Sequence, residues 1–373
     1  MNGTIIPFHL RYFDWHPGEM IKDEMESLGY TQKELADRLG LSPKVVCDLI
    51  KHKTRITPEY ALLLSRVLDR SSEYWLTLEQ NWSESQKRKA ENEELNEYRD
   101  WIKRFHAKYL EDNGIIPKHS IIADRIRELL RLFRIAYPKC IDAVISEFNA
   151  SYRKRETKHG TIEGRFVWLS VGRRIVETLC VSYPDYDVRA FKAALKHLRN
   201  HLRDEIDKSK LQKLFFDSGV ALIFVPKIKN NVVYGATYWH CGRPVIQMVC
   251  EYASDDQFWF NLIHETWHVL EGNKNLTSIN IGECEIDDSE SKADIHASEF
   301  LIPAKQFAPF VKRFQNGIRP KEIDIKEFAR DLNVPDSVVL GRLQHLKILP
   351  YFADRNLKKP MSFESDTVCI DIT

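Results

Sequence analysis

The sequence has no apolar run near the roughly 18 residues that a membrane-crossing helix needs, so no membrane partner is expected. Its opening stretch, MNGTIIPFHLRYFDWHPGEM, lacks a basic region followed by an apolar block, so no export signal is expected either. The seven cysteines (47, 140, 180, 241, 250, 284 and 369) are odd in number, scattered, and never spaced C-x-x-C. That argues against a disulfide framework and against a cysteine zinc site, and for reduced thiols in the cytoplasm. Glycine and proline, at 15 each in 373 residues, are too few for a collagenous or low-complexity chain. Net charge is nearly absent as well: 55 Lys+Arg stand against 54 Asp+Glu, which excludes a uniformly basic nucleic-acid binder.

What is present is apolar material, 43% of the chain, enough for about two to three domains. The charge is unevenly spread: residues 1–80 carry about −2, residues 81–215 about +8, and the rest about −5. Texture divides the chain in the same way. Residues 1–82 read as short, sharply punctuated helices. Residues 83–214 read as longer helices, among them a charge-dense stretch from Ser83 to Tyr109. Leu95, Tyr98, Ile102, Phe105 and Tyr109 form its apolar stripe, and Asn113-Gly114 breaks it. Residues 215–373 begin with two strand-like runs, 219–225 and 244–250, and return to helix from about Asp255. The expected fold class is α+β, mostly α. It comprises a helix-turn-helix bundle (1–82), a helical middle region (83–214), and a carboxy-terminal domain with a small sheet (215–373). Arg125, Arg127, Arg131 and Arg134 recur at helical spacing in the middle region. They suit either solvated helix faces or a patch for nucleic acid or an acidic partner, and a further reading makes the whole middle region the recognition element for an RNA or a nuclease toxin.

Residues 31–53 read TQKELADRLGLSPKVVCDLIKHK. Thr31 with Glu34 makes a capping box, Leu35, Ala36 and Leu39 an apolar face, and Gly40 a left-handed helix end. Ser42 caps a second helix with Pro43 at its first position, and Val45, Val46, Leu49 and Ile50 can pack it onto the first. This is a helix-turn-helix pattern. With the second helix in a major groove, Ser42, Lys44, Cys47 and Asp48 would face base edges. Gln32, Lys51, Lys53 and Arg55 would meet phosphates. The segment resembles the XRE-type helix-turn-helix. TPEYA and YWLTLEQ extend the match to HigA-like antitoxins. The resemblance implies a homodimer that binds operator double-stranded DNA and a cognate toxin as partner.

The segment FNLIHETWHVLEG (260–272) carries a different chemistry. His264 and His268 are four apart, so both imidazoles leave one face of a helix and can bind one Zn²⁺. Glu265 lies beside them and can take a proton from water on the metal. A catalytic zinc needs a third protein ligand. ESKADIHASEFLIP (290–303) offers Glu290, with Ala293, Asp294 and Ala297 on the same face of a second helix. Asp294 can accept a hydrogen bond from a ligand histidine. Together with LFFDSGVALIFVP, YGATYW, PVIQMV and FARDLNVPDSVVLGRLQ, these motifs resemble the ImmA/IrrE metallopeptidases, from about Leu211 to Leu346. The resemblance implies His264, His268 and Glu290 as zinc ligands, Glu265 as general base, and a protein or peptide substrate. Trp267, His296 and Asp294 depart from the family pattern, which bears on cleft width and substrate choice.

Tyr234, Tyr238, Trp239 and His240 suit either a substrate groove or core packing. Residues 322–346 have helix-turn-helix texture, as a second DNA reader or as a helical pair closing over the peptidase. Two functional readings follow. One is a DNA-binding regulator, or antitoxin, carrying a zinc metalloendopeptidase. The other is a non-catalytic antitoxin-repressor whose peptidase-like domain senses a signal or docks a partner.

Overall fold

The computed structural model describes residues 15–151, 160–179, 184–205, 207–272, 278–280, 288–314 and 318–366. Cys180, Cys284, Cys369 and the first 14 residues lie outside the described residues. Cys47, Cys140, Cys241 and Cys250 are free thiols. No described helix is long and apolar enough to cross a membrane. The chain divides into two compact units, residues 1–97 and 98–373.

Among the described residues, the first unit has five helices: α1 (Pro17–Ser27), α2 (Gln32–Leu39), α3 (Pro43–Ile50), α4 (Pro58–Val67) and α5 (Ser72–Asn96). Local chemistry sets their ends. Thr31 Oγ1 accepts from Glu34 N (3.3 Å) while Glu34 Oε2 accepts from Thr31 N (2.8 Å), so the capping box at α2 is complete. Gly40, at φ 69°, ends α2 in the left-handed conformation that costs glycine least. Ser42 Oγ then accepts from Val45 N and starts α3. Leu35, Ala36, Leu39, Val46 and Leu49 are buried with Ile21, Met25, Trp75 and Leu78, while Val45 and Ile50 are half-buried against them. Gly18 makes the closest approach, since a Cβ there would stand 1.8 Å from Ile50 O. Residue 82, the expected end of this module, falls inside α5, which runs unbroken to Asn96.

The second unit opens with helices α6 (Trp101–Arg104), α7 (Ala107–Asp112), α8 (Ile122–Phe133), α9 (Ile141–Ser151), α10 (Ile162–Leu179), α11 (Val188–Asn200) and α12 (Lys208–Phe216). The expected stripe from Ser83 to Tyr109 is not one helix. The chain leaves α5 at Glu97 and turns again at His106, whose φ is 52°. Beyond these turns Trp101, Phe105 and Leu110 are buried in the core of the second unit. Strands β1 (Ala221–Val225), β2 (Gly235–His240) and β3 (Arg243–Val249) follow, then β4 (Glu251–Tyr252), α13 (Asp255–Glu271), β5 (Ser278–Asn280) and α14 (Asp288–Leu301). The described chain closes with α15 (Ala304–Lys312), α16 (Glu322–Leu332), α17 (Asp336–His345) and β6 (Met361–Ser362).

Sheet order is β1-β3-β2-β5, with β1 parallel to β3 and the other pairs antiparallel; β4 pairs with β6. Alternation along β2 sends Thr237 towards α13, where it meets Glu265, and Tyr238 the other way. There its hydroxyl donates to Gln247, which reaches Trp168 O on α10. The sheet is therefore sandwiched between α10 and α13. The second boundary expected, at 214, lies inside α12, which packs on β1. The mostly helical architecture with a small sheet is thus as the sequence suggests, whereas the middle helices are built into the same unit as the sheet.

Candidate metal centre and nucleic-acid interface

The α13 helix is buried on most of its faces: Phe258, Trp259, Leu262, Ile263 and Val269 are core residues, and so are His264, Glu265 and His268. Burying three ionisable side chains on one helix is costly unless each has a partner. Gly272, at φ 72°, ends the helix. Across from it, Ala293 and Ala297 on α14 are fully buried, and their small side chains let the two helices approach closely. That approach brings Glu290 to the histidines. Its Oε2 is 3.0 Å from His264 Nε2 and its Oε1 is 3.6 Å from His268 Nε2, while the two histidine Nε2 atoms are 3.4 Å apart.

These separations test the donor set against an ion. Two nitrogens each about 2.0–2.1 Å from one tetrahedral ion stand about 3.3 Å apart. The two imidazole nitrogens here are 3.4 Å apart, close to that value, and each has one Glu290 oxygen at 3.0 or 3.6 Å. Two imidazoles and a carboxylate are donors that zinc accepts. Among the described residues, these three are the group whose ligand atoms all lie within 4.8 Å of one another. The residues present fit such an ion.

The surroundings hold the donors in place. Asp294 Oδ1 lies 2.8 Å from His264 Nδ1, which leaves Nε2 facing the other donors. On the other histidine, Glu271 Oε2 is 3.8 Å from His268 Nδ1 and accepts from Ser289 Oγ at 2.9 Å. The sequence reading missed Glu271, although a carboxylate three residues beyond His268 lies one turn along the same face. Charge within the cluster is strongly coupled. Burial alone would depress the His264 imidazole, but the carboxylates of Asp294 and Glu290 overcome it and raise it to about 10. Burial pulls His268 down. Burial pushes the Glu265 carboxyl up to about 7, against the His264 charge and the Thr237 hydrogen bond.

Glu265 is fully buried and held asymmetrically. Thr237 Oγ1 donates to Oε2 at 2.7 Å, while Oε1 has no hydrogen-bond partner among the described residues. Gly235 on β2 leaves it room, since a Cβ there would sit 3.0 Å from both Cγ and Oε1 of Glu265. One carboxylate oxygen is therefore anchored and the other is uncommitted. Thr237 and Gly235 lie in the YGATYW run, yet no spacing in the sequence links either to Glu265, 28 positions from the threonine.

Other expectations resolve differently. Tyr238 is buried in the core, and Tyr234 O accepts from Tyr252 Oη. His296 packs against Trp267 on α13, with ring centroids 5.4 Å apart, and its Nε2 lies 3.4 Å from Thr266 Oγ1. In the helix pair at 322–346, α17 buries Ser337, Val338, Val339, Leu340, Leu343 and Gln344. Ser337 Oγ donates to Asp255, and Gly341 lies against Asp256, so α17 packs on the start of α13. A helix buried this fully cannot enter a DNA groove. Arg125, Arg127 and Arg131 are neutralised in pairs with Glu111, Asp124 and Glu128.

In the first unit, Ser42 and Lys44 are exposed at the amino-terminal end of α3, and Cys47 and Asp48 are half-buried behind them. Ser42 also caps its own helix. Gln32, Lys51, Lys53 and Arg55 are exposed. The loop after α3 is pinned: Asp48 O accepts from the Lys53 and Thr54 amides. Buried Glu79 on α5 accepts from His52 Nε2 (2.9 Å) and Ile56 N (3.2 Å). Glu79, another residue missed, thus fixes the loop that bears the three basic candidates.

Two family models match the chain: the helix-turn-helix over residues 21–75, and the IrrE N-terminal-like domain, of the M78 peptidase family, over residues 219–344. Over 67 residues the chain is 33% identical to YddM, an uncharacterised helix-turn-helix-type transcriptional regulator of Escherichia coli K12. The match spans 18% of this chain and 71% of that protein.

Proposed function

Because the chain belongs to the helix-turn-helix-type transcriptional regulators and carries an IrrE N-terminal-like domain, we propose that it joins operator binding to zinc-dependent cleavage of a protein. The observation that carries the second half is the convergence of His264, His268 and Glu290 beside a buried glutamate with one uncommitted oxygen. His264, His268 and Glu290 would hold the ion, with Asp294 and Glu271 fixing the two rings. When bound, zinc supplies Lewis acidity and eases the deprotonation of water near neutral pH. Glu265 then acts as general base: Oε1 takes a proton from the attacking water and returns it to the leaving amine. Thr237 keeps Oε2 anchored through both transfers.

Glu265→Gln should retain metal and lower turnover by roughly 10²–10⁴. Metal analysis with a cleavage assay checks this, and equal cleavage of a true substrate by both proteins would refute the peptidase. If His264→Ala with His268→Ala still represses fully, and the wild type cleaves nothing, the metal unit is a sensor or docking surface instead.

The regulatory half rests on the helix-turn-helix, with Lys44 and Ser42 foremost on its exposed side. We assign the chain an antitoxin-like role in the cytoplasm, as a homodimer on the operator of its own operon with a cognate toxin nearby. TPEYA and YWLTLEQ support that role. Footprinting upstream of its own gene, with sedimentation to read the dimer, tests it; no protection there would end it.

A further inference from the structure

The arginines of α6 and α8 are answered almost one for one by carboxylates. Arg125 grips Glu111 through two bonds of 2.6 and 2.9 Å, Arg127 meets Asp124 at 2.7 Å, Arg131 meets Glu128 at 2.7 Å, and Arg104 lies between Glu163 and Asp142. One place breaks this balance. At the end of α8, Arg134 Nη2 is 2.5 Å from Glu177 Oε2, and on α10 Arg174 Nη1 is 2.8 Å from the same oxygen. Two guanidiniums thus share one oxygen of one carboxylate. A third, Arg173, is exposed one residue before Arg174 and has no carboxylate partner among the described residues. It lies over the Tyr238 ring, 5.9 Å from the centroid.

The unbalanced charge has a built floor. Tyr238 and His240 come from the α10 side of β2, two residues apart on one face of the strand. His240 is half-buried. Burial depresses its imidazole, and Arg173 and Arg134 add to that against Glu177, so all three charges lie within electrostatic reach of the ring. A further donor is unanswered: Arg174 Nε is buried and has no hydrogen-bond partner among the described residues. A buried guanidinium N–H without an acceptor is costly, and an acceptor in that spot would relieve it. Arg134 is 64% exposed, so the cluster opens to solvent.

We propose that Arg134, Arg173, Arg174 and His240 form a binding site for a doubly charged phosphoryl group, on the face of the sheet opposite the metal centre. Guanidinium forks match phosphate oxygens in bidentate fashion. Three arginines against one glutamate leave an excess of two positive charges, which suits a dianion such as a phosphate monoester better than a phosphodiester. Glu177 is then a competitor that holds the arginines until the ligand arrives. The proposal needs no part of the peptidase reading.

Titration calorimetry on the full chain tests it, with inorganic phosphate, a nucleoside monophosphate and single-stranded oligonucleotide as three arms. Phosphate should bind with a Kd on the order of 1 mM or tighter, as expected for a few charge-assisted hydrogen bonds. A tighter monophosphate would assign the natural source to a nucleotide, and equal affinity to the free ion; either supports the site. Arg173→Gln and, separately, Arg134→Gln should weaken phosphate about tenfold. Glu177→Gln should tighten it about tenfold, the reverse of what loss of a merely structural ion pair predicts. Unchanged circular dichroism guards against misfolding, and Arg173, being exposed, is the variant least exposed to that objection. No phosphate binding at ten times the expected Kd would overturn the proposal. So would affinities that the three variants leave unmoved, or binding of the oligonucleotide alone.

Discussion

In the amino-terminal unit, the candidate contact residues fall within residues 32–55, and six of the eight are exposed. In the second unit, the candidate metal donors come from α13 and α14, their support from β2 and the end of α13, and most of the cluster is buried. The two sites therefore answer mutation differently. A surface site built on local sequence loses contacts one at a time, since water replaces each lost partner. A buried site built from distant segments loses cooperatively, because each removed group strands its neighbours in a medium that cannot solvate them.

The largest expected effect follows directly. His264→Ala or His268→Ala should weaken zinc binding by more than the roughly 10–100-fold typical of residues that only orient a ligand. Glu271→Gln and Asp294→Asn should fall within that lesser range. Metal content after dialysis against a graded chelator series separates the two classes, while operator binding should stay within about twofold of wild type. If Glu271→Gln cost as much as His268→Ala, the carboxylate would have to be a donor itself. If His264→Ala abolished operator binding, the units would not be separable at all.

Next in size is Thr237→Val. The change keeps shape but leaves the fully buried Glu265 carboxyl without its described side-chain donor. The expected cost is about 1–3 kcal/mol by denaturant unfolding of the metal-free chain. Glu265→Gln with Thr237→Val should cost less than the sum of the two, as for residues in one network. Strict additivity would show that Thr237 supports the fold and not Glu265.

The same contrast explains what could be read in advance. Capping, the glycine turn and the apolar face of α2 and α3 are all set by neighbours within four residues, so the spacing alone located them. The histidine pair and Glu290 were legible too, because helical periodicity places them on faces without any knowledge of how the helices pack. What escaped was whatever tertiary contact decided. Thr237 and Gly235 meet Glu265 only because β2 lies across α13. Glu79 meets His52 only because α5 folds back along the bundle. The stripe from Ser83 to Tyr109 has good helical periodicity, yet it breaks at Glu97 and His106 because burying Trp101 and Phe105 outweighs the local preference. In the basic middle region the net charge does not say where the charge goes: Asp124 and Glu128 meet Arg127 and Arg131 three residues along α8, which spacing allows, whereas Glu111 meets Arg125 from α7, which only packing decides.

On the exposed side, Lys51→Ala and Lys53→Ala should each weaken operator binding about equally for every DNA sequence, and each should lower the slope of log K against log salt by about 1. Lys44→Ala, at the exposed amino-terminal end of α3, should instead change which sequences are preferred. A Lys53→Ala variant that altered preference without altering the slope would move that residue from phosphate to base.

The smallest effect closes the comparison with a matched pair, since each unit holds a threonine that serves a glutamate. Thr31 and Glu34 cap α2 at the surface, and Thr237 and Glu265 meet in the core. Thr31→Ala should cost about 1 kcal/mol, the usual worth of a helix cap, because water reaches the freed amide. The pH dependence has a definite sign. Hydrogen bonds from the Thr31 backbone and hydroxyl hold the Glu34 carboxyl below its ordinary range. A depressed carboxylate stabilises the fold above its unfolded pKa, and that contribution is lost as pH falls through the folded value. The penalty of Thr31→Ala should therefore shrink in acid, below about pH 4, and be flat from pH 6 to 8. Thermal unfolding of wild type and variant across that span measures it. A penalty as large as that of Thr237→Val would mean that burial is not what separates the two sites.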